Sequence, residues 1–153
     1  MKVLKKCLLI FCMICLFCTP SMAATVTDIS TKKIEYLPNG DYIEVTITET
    51  PTKALTKSGT KTANYKNSAG STMWSVSVKG NFSYVTGKSC TCTSASGSSA
   101  SYSSSWTVSS TTSSKSGNSA TASATGTHYM SGNPMESLSR SVTLYCDSYG
   151  NLS

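Results

Sequence analysis

The amino-acid sequence predicts an all-β protein with a single β-sandwich domain, immunoglobulin-like, of about seven or eight short antiparallel strands. Large and small side chains alternate with a period of two along most of the chain, which is the pattern of half-buried strands. Turn signals such as "LPNGD", "KNSAG" and "KSGN" separate the alternating segments. No helical stripe of useful length follows residue 23. A small closed barrel is the alternative architecture.

The first 23 residues have the features of a secretory signal peptide. Three lysines stand near the start, an unbroken apolar run spans 7–18, and the small residues Ser21 and Ala23 precede a cleavage point. The run is shorter than the roughly 20 residues that a membrane-spanning helix needs. We therefore expect cleavage after Ala23, one domain over 24–153, no stable membrane insertion, and a secreted, extracellular protein that is free or loosely associated with the cell wall.

The charge of the chain after residue 23 is only mildly basic. Ten basic residues stand against seven acidic ones, which leaves a net charge of +3. The basic residues are scattered, so the sequence lacks the basic patch that marks nucleic-acid-binding proteins. We expect no nucleic-acid partner, and a cell-surface glycan or protein as the partner class.

The first two strands are predicted by "KIEYLPNGDYIEVTIT", in which Asn39-Gly40 provides the turn of a β-hairpin. Glu35 and Glu44 are expected to face each other across this hairpin. Two convergent carboxylates are the requirement of a glycosidase. Solvated strand charges are the preferred interpretation of the pair.

A long strand is predicted over 74–84, "WSVSVKGNFSY". Its even-numbered positions are large and apolar, and its odd-numbered positions are polar. A glycine inside such a strand indicates a kink or a bulge, here at Gly80. We expect the even-numbered face to be buried.

The serine-rich tract that follows keeps the same period and is therefore predicted to fold rather than to form a linker. The sets predicted to share one strand face are Tyr102, Trp106 and Val108; Ala120, Ala122, Ala124, Gly126, His128 and Met130; and Val142, Leu144 and Cys146. The alanines would let a second sheet approach closely opposite Trp74 or Trp106. The piece 94–105 is expected to be a mobile loop or a loosely held edge strand.

Three cysteines remain after the predicted cleavage: Cys90, Cys92 and Cys146. Export permits one disulfide and leaves one thiol over. Cys90 and Cys92 share a strand face, so the pattern does not choose between them. Cys-x-Cys is not a zinc-knuckle spacing, and His128 is the one histidine. We expect no metal and no cofactor.

The segments "TKTANYKNSAGSTMWSVSVKGNFSY", "CTSAS", "SKSGNSATASATGTHY" and "SVTLYCDSYGNLS" resemble a group of small, uncharacterised exported proteins of Gram-positive, gut-associated bacteria. The resemblance covers about residues 30–153. It implies export and a disulfide between Cys92 and Cys146, with Cys90 a departure from the pattern of the group. It implies no activity.

No enzyme is expected, because the chain has no G-x-S-x-G elbow and one histidine, His128, which we interpret as structural. The predicted function is non-enzymatic binding or a structural role outside the cell. Tyr65, Tyr129 and Tyr145 are the candidate ligand-facing aromatics, at expected outward positions. The alternative is a secreted antibacterial or membrane-active toxin that uses 104–130 as a hairpin, although its alanine face is a poor lipid-facing surface.

Overall fold

A computed structural model describes residues 31–50, 52 and 55–153. This part of the chain is all-β, with nine strands in two antiparallel sheets. The strands are β1 (Thr31–Tyr36), β2 (Tyr42–Thr50), β3 (Thr56–Lys66), β4 (Thr72–Val85), β5 (Ser89–Ser101), β6 (Trp106–Val108), β7 (Thr112–Ser116), β8 (Ser119–Met130) and β9 (Asn133–Tyr145). Within it, no helix has the length and hydropathy needed to span a bilayer. The predicted signal peptide, 1–23, lies outside the described residues.

The first sheet is a meander, whereas the second is built around β8. Strands β1 to β5 form the first sheet in chain order. In the second sheet β8 is central, β9 pairs along one edge, and β6 and β7 pair with successive parts of the other edge. The prediction of an all-β sandwich is confirmed. The immunoglobulin-like refinement is not confirmed, because that fold joins its strands in Greek keys, whereas β1 to β5 follow one another as neighbours.

The β1–β2 hairpin forms where it was predicted, but its two glutamates do not face each other. Glu35 pairs with Ile43, which places Glu44 one residue away and on the opposite face of the sheet. Glu44 forms an ion pair with Lys32 at 2.6 Å, and Glu35 forms one with Arg140 of β9. The expected facing pair is therefore wrong, and these carboxylates do not converge.

Strand β4 provides the centre of the core. Its even-numbered side chains are buried as predicted: Trp74, Val76, Val78 and Phe82. The predicted irregularity is a β-bulge between Asn81 and Phe82, next to Gly80. Opposite them, Ala120, Ala122 and Ala124 of β8 are also buried. This confirms that the serine-rich tract is folded.

Small residues set the spacing between the sheets. A Cβ atom placed on Gly80 would lie 3.1 Å from the Cβ of Ala120, and one placed on Gly97 would lie 3.0 Å from that of Ala122. Contacts this short leave no room for larger side chains. The alanine face therefore allows the close approach of the sheets that the sequence predicted.

Strand β5 changes its inward face in the middle. The bulge leaves Thr93 without a partner on β4, because Asn81 pairs with Ser94 and Phe82 with Cys92. Before the bulge the even-numbered residues point inward, and after it the odd-numbered ones do. Tyr102 is 63% exposed as a result, whereas Trp106 is buried, so the prediction that they share one face is wrong. The piece 94–101 is an ordered edge strand of the first sheet.

The outer face of β8 and β9 carries a ladder of hydroxyl pairs. The pairs Thr121–Thr143, Ser123–Ser141, Thr125–Ser139 and Thr127–Ser137 have oxygen–oxygen distances of 3.0, 2.9, 2.7 and 3.0 Å. Cross-strand hydroxyl pairs of this kind stabilise antiparallel sheets. The serine and threonine content of this region thus serves strand pairing.

The last residues fold back on the end of β9. Cys146 forms an isolated bridge with Leu152, and the Asp147 carboxylate accepts hydrogen bonds from the amides of Tyr149 at 2.8 Å and Asn151 at 2.9 Å. The side-chain amide of Asn151 also donates to Asp147 Oδ2 at 2.8 Å, and this bond, followed by those from the backbone amides, holds the pKa of Asp147 below its ordinary value. The Leu152 side chain packs over Gly59 of β3, so the segment Cys146–Ser153 covers part of the core.

Candidate functional site: a cleft with aromatic and acidic walls

A cleft of about 320 Å³ opens at the end of the sandwich where the β1–β2 and β3–β4 turns lie. Its walls come from both sheets and from both turns. The lining residues are Asn39, Asp41, Tyr65, Asn67, Met73, Ser105, Trp106, His128 and Glu136. Its volume is at the lower end of the roughly 300–1,000 Å³ typical of small-molecule sites.

One wall is a row of three side chains in register across the second sheet. Trp106 of β6 pairs with His128 of β8, and His128 pairs with Glu136 of β9. The Trp106 and His128 rings stack, with centroids 5.1 Å apart and planes inclined by 18°. A bulge follows His128, where Met135 is left without a partner. Bulges re-aim side chains, and this one lies at the edge of the cleft.

The opposite wall is organised around Tyr65 and Asp41. The Tyr65 hydroxyl donates a hydrogen bond to Asp41 Oδ2, and its ring lies 5.0 Å from that of Trp106. Asp41 also accepts from the Ser68 amide at 2.9 Å and from Asn39 Nδ2 at 3.1 Å. Burial, together with the Asp41 hydrogen bond, raises the pKa of Tyr65 to about 12. The Tyr65 hydroxyl therefore keeps its proton, and its bond to Asp41, above the pH at which an ordinary tyrosine ionises.

The cleft is acidic although the chain as a whole is basic. Asp41 and Glu136 contribute carboxylates, and the lining contains no lysine or arginine. Among the described residues, no hydrogen bond joins His128 to Ser105 or to Glu136. The three side chains therefore do not form the hydrogen-bonded relay of a serine hydrolase. The arrangement offers the half-buried His128 ring and hydrogen-bonding groups to a small ligand, with the nearly buried Trp106 and Tyr65 rings behind them.

Two other hollows are less suited to a ligand. A groove of about 360 Å³ lies over β8 and β9, but its hydroxyls include Ser123, Thr125, Ser139 and Ser141, which already bond to one another. An apolar hollow of about 220 Å³ is lined by the C-terminal Leu152 and by strands β1 to β3. The end cleft alone among these hollows combines aromatic rings with amide and carboxylate groups.

The structure does not bring the three predicted aromatics together. Tyr65 is 3% exposed, so its expected outward position is wrong, yet it lines the cleft. Tyr129 is half-buried, and its amide donates to the Ser105 carbonyl at 2.7 Å. Tyr145 is 48% exposed and stands at the opposite end of β9. Ligand contact by these residues stays a prediction.

Sequence reasoning missed the polar half of the cleft. Asn39 and Asp41 belong to the first hairpin turn, and Asn67 begins the β3–β4 turn. Alternate turns of a meander lie at the same end of a sheet, so strand counting would have placed "PNGD" and "KNSAG" together. Glu136 offered no such signal, since its position depends on the register of β9.

The cysteines lie at the other end of the sandwich. Cys90, Cys92 and Cys146 are free thiols in this structure, and the predicted Cys92–Cys146 disulfide stays a prediction. Within the described residues, no group of three or more histidine, cysteine, aspartate or glutamate side chains could hold a metal ion.

Comparison with known proteins identifies no relative. No protein-family model, curated protein or solved structure matches the chain. The resemblance to small exported bacterial proteins therefore carries no support from these comparisons.

Proposed function

We propose that this chain is an exported, non-enzymatic β-sandwich protein that binds a terminal sugar of a cell-surface glycan in its end cleft. The observation that carries the proposal is the cleft itself, with aromatic rings from both sheets and a rim of amides and carboxylates. Export rests on the basic and apolar leader of the sequence and on the small residues that follow it.

The aromatic walls suit the apolar face of a sugar ring. A pyranose presents C–H bonds on one face and hydroxyls around its edge. His128 supplies a half-buried flat ring, whose position is fixed by stacking on Trp106, and Trp106 in turn packs at a tilt against Tyr65. Rings that are already ordered lose little conformational entropy when a ligand binds.

The charges of the cleft favour one class of sugar. Asp41 and Glu136 would accept hydrogen bonds from sugar hydroxyls or from an ammonium group, and charged acceptors make the stronger hydrogen bonds. The same carboxylates would repel uronic acids and sulfated sugars. The ligand we infer is a neutral or amino sugar at the end of a glycan.

The proposal can be tested by applying the full chain to a glycan array and to purified cell walls, followed by calorimetry on the sugars that bind. Glu136→Gln is the informative variant, because Glu136 lies on the exposed rim and its loss leaves the core unchanged. We expect affinity for a neutral or amino sugar to fall by about tenfold, the effect of one weakened hydrogen bond of roughly 1.4 kcal/mol. Glu136→Gln should also bind anionic sugars more tightly than the unchanged protein does, because one repelling carboxylate is gone.

Glu49→Gln is the matched control, since Glu49 pairs with Lys57 on β3, outside the lining of the cleft. It should bind like the unchanged protein. Equal affinities for all three proteins would place the binding surface elsewhere. An absence of binding on both the array and the cell walls would contradict the proposed function.

A further inference from the structure

Three cysteines converge where β5 begins and β9 ends. The Cys92 amide donates to the Gly117 carbonyl at 2.7 Å, and the Cys146 amide donates to the Asn118 carbonyl at 3.0 Å. The β7–β8 turn therefore holds the two cysteine backbones on neighbouring carbonyls. Cys92 and Cys146 are buried, whereas Cys90 is half-buried.

The segment after Cys146 folds against Tyr84 and Gly87, at the end of the β4–β5 hairpin where Cys90 lies. Cys90 pairs with Tyr84 on β4, and a Cβ atom on Gly150 would lie 2.8 Å from the Tyr84 ring. The Gly87 amide also donates to the Ser148 carbonyl at 3.0 Å. These contacts place the residues that follow Cys146 against the β4–β5 turn, which is nearer along the chain to Cys90 than to Cys92.

The thiols of Cys92 and Cys146 have different partners. Cys92 Sγ donates to the Ser94 carbonyl at 3.3 Å, which turns it along its own strand. The Cys146 thiol donates to the carbonyl of the next residue, Asp147, at 3.5 Å, and the thiol with which it interacts is that of Cys90. Burial, followed by the interaction with Cys90, raises the pKa of the Cys146 thiol to about 12.

We propose that Cys90 and Cys146 form the disulfide of the oxidised protein, and that Cys92 stays a buried thiol. This pairing replaces the Cys92–Cys146 bridge that the resemblance implies. The inference goes beyond the proposed function and does not depend on glycan binding. The proposed pairing depends only on which two sulfur atoms can form a bond, so it applies wherever an oxidant reaches the folded protein.

The oxidant is a small disulfide such as oxidised glutathione. Cys90 is the more exposed of the pair, so its thiolate attacks first, releases one glutathione thiol and forms a mixed disulfide. The Cys146 thiolate then attacks the Cys90 sulfur and displaces the second glutathione thiol. The two protein thiols lose two electrons and two protons, and the glutathione disulfide gains them.

The test is oxidation of the reduced full chain with glutathione disulfide, followed by tryptic mapping without reductant. Trypsin leaves Cys90 and Cys92 together in 89–115 and Cys146 alone in 141–153, apart from the cysteines of the leader. Fragmentation between Cys90 and Cys92 in the linked pair of peptides should assign the bridge to Cys90. The variants Cys92→Ser and Cys90→Ser check this assignment independently.

We expect Cys92→Ser to form the linked peptides as fast as the unchanged protein. Cys90→Ser should form them at least about tenfold more slowly, because disulfide geometry requires Cβ atoms roughly 3.5–4.5 Å apart and Cys92 points elsewhere. Similar rates for the two variants, or fragments that assign the bridge to Cys92, would overturn the proposal. The absence of linked peptides from the unchanged protein and from both variants would also overturn the proposal.

Discussion

Gly126 of β8 lies directly against the indole of Trp74 on β4. A Cβ atom at this glycine would be 2.6 Å from Trp74 Nε1 and 2.8 Å from Cδ2. Trp74 is 1% exposed, and among the described residues its Nε1 is a buried side-chain polar atom without a hydrogen-bond partner. The Trp74 indole therefore fits in the core only because Gly126 on the facing strand has no side chain.

Gly126→Ala should destabilise the protein by about 1–3 kcal/mol, the usual effect of forcing an extra carbon into a packed core. The measurement is chemical denaturation. Thr127→Ala is the matched control: it changes the neighbouring residue on the outer face and removes one hydroxyl pair, at about 0.5 kcal/mol. Equal midpoints for the two variants would show that the sheets separate easily at Trp74.

Tyr65→Phe should destabilise the protein while keeping the aromatic ring in the cleft wall. The ring stays, and the hydrogen bond to Asp41 is lost, so we expect about 1 kcal/mol less stability at neutral pH. Tyr36→Phe is the control, because Tyr36 is 75% exposed. It should change stability by less than about 0.5 kcal/mol.

The Tyr65→Phe variant also tests how the stability of the protein changes at alkaline pH. The folded state holds the pKa of Tyr65 at about 12, above the ordinary value of 10.0, so the unfolded chain loses this proton first. The resulting stabilisation is complete below pH 10 and is lost between pH 10 and about 12. Tyr65→Phe should therefore lose less stability across this window than the unchanged protein. Parallel curves would show that Tyr65 titrates normally.

Hydrogen exchange should separate the two parts of the serine-rich tract. Amides of Ala120 to Thr127 lie in the central strand of the second sheet and should exchange slowly. Amides in 94–101 that point away from β4 lie on a sheet edge and should exchange faster. Uniformly fast exchange across both stretches would contradict the folded tract.

Cys146→Ser should be the most destabilising of the cysteine substitutions in oxidised protein. A bridge from Cys90 to Cys146 closes a long loop, and its loss should lower the stability by about 2–5 kcal/mol. Cys92→Ser should lower it less, because the bridge remains. Calorimetric melting of both variants, with and without reductant, measures the difference. A similar loss for both variants under oxidising conditions would contradict the pairing.

The leader predicts the start of the exported protein. N-terminal sequencing of protein recovered from the culture medium should begin at Ala24. Intact Met1 in a membrane fraction would contradict cleavage. This measurement is independent of the cleft and of the cysteines.

The sequence predicted the strands better than the faces they present. Period-two alternation correctly placed Trp74 and Ala120 in the core, because both stand on uninterrupted strands. It failed at Tyr102, since the bulge at Thr93 exchanges the inward and outward positions of β5. A bulge adds one residue to a strand, and no residue type in "SCTCTSAS" marks where it falls.

The cleft was harder to predict than the fold because its residues are brought together by register. Trp106, His128 and Glu136 form one row only because β6, β8 and β9 align at these positions. Their sequence separations contain no repeat. Tyr65 was identified as a candidate, but for an outward position that it does not occupy.

The alanine-lined interface between the sheets also governs how stability responds to temperature. The heat-capacity change of unfolding grows with the apolar surface that becomes exposed. Ala120, Ala122 and Ala124 each bury a single methyl group, and the other face of the same strand is covered by hydroxyls. We expect a heat-capacity change below the roughly 12–15 cal/mol/K per residue of ordinary domains. The stability curve is then flatter, and the folded state persists over a wider span of temperatures than its modest core would suggest.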